Sequence, residues 1–179
     1  MAKCLLFLLL LLSSLSEPSA TEDQTQNEFV DMICNQTSDY TVCTDAFYSD
    51  SRTLNADQYT VAYIAVLMTH ANATNTRRLL EDLLHSAALP PDEAPPLRRC
   101  CDEYGDAVSY ITSAYIDVND ETFSDLPRLA SMASLSVDNC LAAFSDDLSL
   151  PAFLSHSARG FKILLEACEV IGSLYCGEC

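Results

Sequence analysis

The chain of 179 residues has no tryptophan and only four glycines. So little glycine beside so much alanine, leucine and serine favours helices, and no stretch shows strand-like alternation of useful length. Basic residues are scarce as well: nine Lys and Arg stand against 26 Asp and Glu, a formal net charge of −17. That balance excludes nucleic acid and anionic membranes as natural partners, because both are held by basic patches. A basic protein suits this surface better, although surface acidity also serves solubility alone. Beyond the first dozen residues no apolar run is long enough to cross a bilayer. Catalytic motifs are missing too. His70, His85 and His156 sit in no H-E-x-x-H pattern, and there is neither a G-x-S-x-G elbow nor a Gly-rich phosphate loop. His85 falls at a predicted helix C-terminus, where imidazole suits the helix dipole. The chain therefore reads as no enzyme, with no cofactor and no metal site.

What is present begins with an export signal. Lys3 supplies a basic start, Leu5 to Leu12 form an apolar run interrupted only by Phe7, and Ser13, Ser14 and Ser16 lead to Glu17-Pro18-Ser19-Ala20. This is the layout of a signal peptide over residues 1–20, with cleavage after Ser16 or after Ala20. The run of about a dozen is shorter than the roughly 20 residues a spanning helix needs. About 160 residues remain, enough for one domain with a real core. Two sequons agree with export: Asn35-Gln36-Thr37 and Asn72-Ala73-Thr74.

The mature chain divides into a hairpin over 27–50 and a larger helical part reaching 179. A short apolar patch, Phe29 to Ile33, ends at Cys34. A turn-like segment, Asn35 to Asp39, then leads to Cys43 and a second short helix through Phe47. Four longer helices are predicted over about 57–85, 97–118, 125–144 and 152–175. The first carries Val61, Ile64, Ala65, Met68, Leu79, Leu80, Leu83 and Leu84 at three and four spacings, with a weak point expected over 72–76. Pro90, Pro91, Pro95 and Pro96 form a break that no helix should cross. The second has the clearest amphipathic stripe: Leu97, Cys100, Tyr104, Ala107, Val108, Ile111, Ala114, Tyr115 and Val118. In the third, Ser124 or Asp125 serves as the N-cap and Pro127 falls in the first turn. Four such helices with short connections pack as an all-α, up-and-down four-helix bundle.

Cys4 leaves with the signal peptide, so eight cysteines remain, an even number that reads as at least a partial disulfide framework. Cys176-Gly177-Glu178-Cys179 matches C-x-x-C, but without a second pair at zinc spacing it favours a terminal or intermolecular disulfide over a metal. The Cys100-Cys101 doublet invites comparison with lipid-transfer proteins. Their pattern needs a C-x-C that Cys140 and Cys168 do not provide.

The segments I-C-N-Q-T-S-D-Y-T-V-C at 33–43, R-R-C-C-D-E-Y-G-D-A-V at 98–108 and V-D-N-C-L-A-A-F at 137–144 together resemble the plant invertase inhibitor and pectin methylesterase inhibitor family. The likeness covers about residues 27–175. It implies a bundle preceded by a helical hairpin, with Cys34 paired to Cys43, Cys100 paired to Cys140, and Tyr104 and Phe144 in the core. Cys168 matches a position where some members carry an unpaired thiol, while Cys101, Cys176 and Cys179 lie outside the pattern. Asn119 to Phe123 occupies a loop in which invertase inhibitors often show Pro-Lys-Phe. Pectin methylesterase inhibitors commonly show Gly-Asp-Tyr there, which Glu121-Thr122-Phe123 matches loosely.

The resemblance implies a secreted inhibitor, placed in the cell wall or the vacuole, that occludes the cleft of a pectin methylesterase in a 1:1 complex. An acid invertase is the alternative target, and a non-inhibitory signalling module on the same bundle a second alternative. Candidate contact residues are Asp102, Asp106, Ser109, Thr112 and Asp117, on the polar face of the second bundle helix.

Overall fold

A computed structural model describes residues 27–144 and 150–177. The signal segment and Cys179 lie outside the described residues.

The chain opens with two short helices, α1 (Glu28–Cys34) and α2 (Tyr40–Tyr48), both begun by side-chain caps. Asn27 Oδ1 accepts from the amides of Phe29 and Val30, and Asp39 accepts from that of Val42 at 3.0 Å. Asn27 also ties the hairpin shut from outside. Its Nδ2 donates to the carbonyls of Thr53 and Ala56, and its own amide donates to the Tyr48 hydroxyl at 2.8 Å. The Cys34–Cys43 disulfide joins the two helices, and Val30, Ile33 and Phe47 bury their side chains beneath it. A single 3-10 turn, Thr53–Asn55, leads into the bundle.

The bundle comprises α3 (Gln58–Leu84), α4 (Ala94–Asn119), α5 (Leu126–Leu141) and α6 (Ala152–Cys176). Helix α3 packs on α4 and α6, and α5 packs on the same two, so α4 and α6 stand on opposite corners of an up-and-down square. The hairpin lies against α6 and α3 and touches neither α4 nor α5. Among the described residues all regular structure is helical. Tyr104, Ile111, Leu126, Phe161, Leu165 and Ile171 fill the centre, with Tyr104 and Phe161 at 6.0 Å between ring centroids. The Cys100–Cys140 disulfide rivets α4 to α5. Phe144 is only half-buried against this core.

Several details differ from the sequence reading. Helix α3 passes through 72–76 unbroken, because Ala73 and Thr76 turn inward and the Thr76 hydroxyl donates to the Asn72 carbonyl at 2.9 Å. Leu79, expected on the apolar stripe, is 49 % exposed. Helix α4 begins at Ala94 rather than 97, taking in Pro95 and Pro96. Prolines in a first turn lose no helical hydrogen bond, since those amides have no partner there anyway. Helix α5 ends at Leu141 and not 144, and Asp125 gives it no side-chain cap. That carboxylate instead pairs with Arg128 at 3.1 Å.

The start of α5 fits for a second reason. Gly172 of α6 lies so close to Pro127 that a Cβ there would sit 2.5 Å from the ring's Cδ and Cγ. The missing side chain on α6 is what lets the proline ring dock.

Candidate functional site

The outward face of α4 follows from its own periodicity. Cys100, Tyr104, Ala107, Ile111, Ala114 and Val118 point inward and are buried. The positions between them are thereby turned to solvent. Asp102, Asp106, Ser109 and Thr112 are all exposed on that outer side. The hydroxyls fold back on their own helix: Ser109 donates to the Gly105 carbonyl at 3.0 Å and Thr112 to that of Val108 at 2.8 Å. What the face offers a partner is therefore carboxylate charge with few competing donors.

Asp117 behaves differently from the other four. It is half-buried, accepts from the Thr122 hydroxyl, and accepts from the Asp125 amide at 3.0 Å. It clasps the α4–α5 loop, so its oxygens are already engaged by the protein itself. Within that loop Glu121 and Phe123 both adopt φ of 56°, a left-handed conformation uncommon for non-glycine residues. Phe123 is held there by its ring, stacked on Tyr175 at 3.9 Å and set edge-on to Tyr59 at 6.4 Å. Asp120, Glu121 and Thr122 are thereby displayed on a fixed loop just beyond the α4 face.

Charge over this surface is poorly balanced. Six of the basic side chains are spent on local ion pairs: Arg52–Asp50, Arg77–Glu81, Arg99–Glu103, Arg128–Asp125, Arg159–Asp39 and Lys162–Asp138. Among the described residues Asp102 and Asp106 are in none of these ion pairs.

The sequence reading missed the apolar component of this face. Leu67 and His70 of α3, with Thr112 and Tyr115 of α4, line a shallow groove, and Ile116 beside it is 55 % exposed. Tyr63 and Tyr115 bridge the same two helices through their hydroxyls at 3.0 Å. A signal for Ile116 existed: it falls four residues after Thr112, on the polar side and off the stripe of Ile111, Ala114 and Val118.

Among the described residues the ionisable groups elsewhere are dispersed. The described residues contain no cluster of three His, Cys, Asp or Glu suited to a metal. Burial pushes the Cys168 thiol up to about 12, with the Thr69 hydroxyl 3.6 Å away. Burial also raises the Cys101 thiol, and the nearby Arg77 works against it. Cys176 is disulfide-bonded. His85 Nδ1 lies 2.6 Å from the Glu81 carbonyl oxygen, and His156 is exposed.

The described residues thus form a bundle riveted by one disulfide behind a hairpin closed by another, with acidic side chains on the outer face of α4. The family model described as plant invertase/pectin methylesterase inhibitor matches residues 28–163, and the chain belongs to that family. Its relatives include a pectinesterase inhibitor of Actinidia deliciosa, 23 % identical over 174 residues, covering 97 % of this chain and 92 % of that one. Pectinesterase inhibitor 10 of Arabidopsis thaliana is 24 % identical over 137 residues, or 71 % of this chain, which spans only 44 % of that longer protein. Two solved structures share the fold. A mutant form of a pectin methylesterase inhibitor from Arabidopsis superposes with a TM-score of 0.72 at 21 % identity, covering 81 % of this chain and 95 % of that one. A second pectin methylesterase inhibitor from Arabidopsis thaliana gives 0.63 at 20 % identity, covering 83 % and 96 %.

Proposed function

We propose that this protein is a secreted inhibitor of a plant pectin methylesterase, acting by occlusion of the substrate cleft without chemistry of its own. The observation that carries the reading is family membership over nearly the whole bundle, joined to curated relatives that are pectinesterase inhibitors. The physical account starts from rigidity. The Cys100–Cys140 disulfide and a packed core hold the α4 face in its binding shape beforehand, so little ordering entropy is lost on association. Asp102 and Asp106 meet the esterase as unpaired carboxylates, and a basic esterase is steered toward them with a salt-sensitive association rate. Ile116 and the Leu67–Tyr115 groove supply apolar contact inside that charged frame, the arrangement expected of an interface core within a polar rim. One inhibitor engages one enzyme. An N-terminal export signal delivers the chain to the cell wall, where such esterases work.

The decisive experiment titrates purified protein against a basic pectin methylesterase and, separately, an acid invertase. Esterase activity should fall linearly to an endpoint of one inhibitor per enzyme while the invertase is untouched. Loss of invertase activity alone would transfer the assignment to the other branch of the family. Full activity in both would leave a bundle that binds without inhibiting, as in a signalling role.

A further inference from the structure

The C-x-x-C that follows Tyr175 takes no part in the α4 face, yet Cys176 is disulfide-bonded. Cys34 is joined to Cys43 and Cys100 to Cys140, while Cys101 and Cys168 are free thiols. Within this chain the partner of Cys176 is therefore one of the two cysteines outside the described residues, Cys4 or Cys179. We infer that Cys176 and Cys179 form a third disulfide at the end of α6, that an external dithiol opens it before the other two, and that opening it loosens the α4–α5 loop. Cys4 is set aside because it lies in the N-terminal signal and leaves with it.

Local geometry favours so short a ring. Bridged cysteines need Cα atoms within about 7 Å, whereas three extended residues span roughly 10 Å, so the chain has to bend after Cys176. Gly177 makes the bend. It caps the C-terminus of α6 with φ of 71°, in the left-handed region, and its amide donates to the Ser173 carbonyl at 3.2 Å.

Accessibility sets the order of reduction. Cys34, Cys43, Cys100 and Cys140 are all 0 % exposed, while Cys176 is only half-buried. Exchange needs a thiolate to reach one sulfur of the bridge. The reagent's first thiolate makes a mixed disulfide there and releases the other sulfur as a protein thiolate. Its second thiolate then displaces the remaining protein sulfur and closes the reagent's own S–S bond. Two electrons pass to the protein, and the two thiol protons end on Cys176 and Cys179. The motif is no thiol-exchange centre itself, because the negative end of the α6 dipole disfavours a thiolate at Cys176.

The bridge adjoins the loop that displays Asp120, Glu121 and Thr122. Tyr175 stacks on Phe123 at 3.9 Å, and Cys176 Sγ lies 3.3 Å from the Phe123 carbonyl oxygen. Once the ring is open, the last turn of α6 keeps only its own helical hydrogen bonds, and such turns fray. Fraying there takes Tyr175 off Phe123.

The test uses the secreted full chain. Thiols are alkylated in acid denaturant, and trypsin then releases residues 163–179, which contain no Lys or Arg. Chymotryptic cleavage after Tyr175 isolates Cys176-Gly177-Glu178-Cys179. A fragment lighter than its dithiol by the mass of two hydrogens is expected, with the alkyl label on Cys168. An alkylated Cys179, or Cys176 linked to another peptide, overturns the assignment. Limiting dithiothreitol on the folded protein, followed by a heavier alkylating label, should mark Cys176 and Cys179 first. Equal label on any of the four buried cysteines overturns the order of reduction. The amides of Thr122 and Asp125, both bonded to Asp117, should exchange hydrogen roughly two- to tenfold faster once the bridge is open, the range one stacked aromatic pair supplies. The selectively reduced protein and the double variant Cys176→Ser, Cys179→Ser should both show it. Unchanged exchange in both overturns the link to the loop. None of these readouts involves an esterase, so they stand apart from the inhibitor assignment.

Discussion

Replacing Gly172 by Ala sets a local preference against a tertiary clash, and the structure decides the sign. On helix propensity alone the change stabilises by about 1 kcal/mol, because glycine loses the most backbone freedom in a helix. At Gly172 the added Cβ would lie 2.5 Å from Cδ and Cγ of Pro127 and 3.2 Å from its nitrogen. That is more than an ångström inside the roughly 3.5–4.0 Å optimum for carbon pairs. The pyrrolidine ring has no rotamer to retreat into, so α5 or α6 must shift as a body. Overpacking of this kind costs about 1–3 kcal/mol, and the need to shift one packed helix against another puts it in the upper half of that range. The net expectation is a loss of about 1–2 kcal/mol, or a fall in Tm of roughly 3–6 °C for a domain of this size. Gly105→Ala is the internal control. Its Cβ would meet only the flexible Arg77 guanidinium, at 3.7 Å, so the same substitution should stabilise by about 0.5–1 kcal/mol. Pro127→Ala supplies the second arm of the test. Alone it removes a restriction on the unfolded chain, costing about 0.4–1 kcal/mol. In the Gly172→Ala background it removes the two clashing atoms and should recover at least about 1 kcal/mol as coupling. Guanidinium and thermal unfolding of the wild type and these four variants measure all of this. If Gly172→Ala unfolds at or above the wild-type midpoint, the close docking of Pro127 on α6 is wrong.

Replacing Cys100 and Cys140 together by serine releases a link across a sequence separation of 40, and loop-closure entropy sets the loss near 4 kcal/mol; a denaturation midpoint shifted by less than a quarter of that would refute a clamping role. Reversing charge with Asp102→Lys and Asp106→Lys should slow association with a basic esterase about tenfold at low salt and leave Tm unchanged; stopped-flow inhibition at two ionic strengths reads both effects, and an unaltered rate removes the α4 face from the interface. Partial burial, with a smaller contribution from Glu166, holds the Glu169 carboxyl above its usual range, so its charged form burdens the folded state at neutral pH and protonation relieves it. Glu169→Gln should therefore raise Tm at pH 7, with the gain shrinking as pH falls toward the ordinary carboxylate range and gone below about 4; a gain that persists at pH 3 contradicts this. Asp50 works in the opposite sense, because hydrogen bonds from Arg52 lower it to about 2. The stability it adds is complete above the ordinary carboxylate range and is lost between about pH 4 and 2. Asp50→Asn should flatten the Tm–pH curve in that window alone.

Most of the helices were legible because burial on one side of a helix leaves a periodic trace. The stripe from Leu97 to Val118 marked α4, and the spacing of the hairpin cysteines marked the elbow. Errors cluster where a helix end is set by neighbours. Pro95 and Pro96 read as a barrier because proline breaks a helix interior, yet in a first turn the same residues are accommodated. Asp125 read as a cap because of its type, yet its carboxylate went to Arg128. Leu79 read as core by spacing alone, yet it is exposed. The candidate face was half legible. Asp102, Asp106, Ser109 and Thr112 follow from the α4 stripe by elimination. Asp117 belongs to the loop clasp, and Ile116 with the α3–α4 groove required the neighbouring helix to be in place.

The two disulfide pairings came only through the family resemblance, whereas composition and local pattern by themselves determined the helical class, the acidic charge, and which side of α4 turns to water. These depend on residue type and on periodicities a single element can express. The tertiary structure alone decided that Gly172 admits Pro127 and that Phe123 is held in a left-handed turn by Tyr175 and Tyr59. Each of those pairs residues far apart in the chain, and the distance between two helices is set by the packing of the whole bundle, which no local window contains.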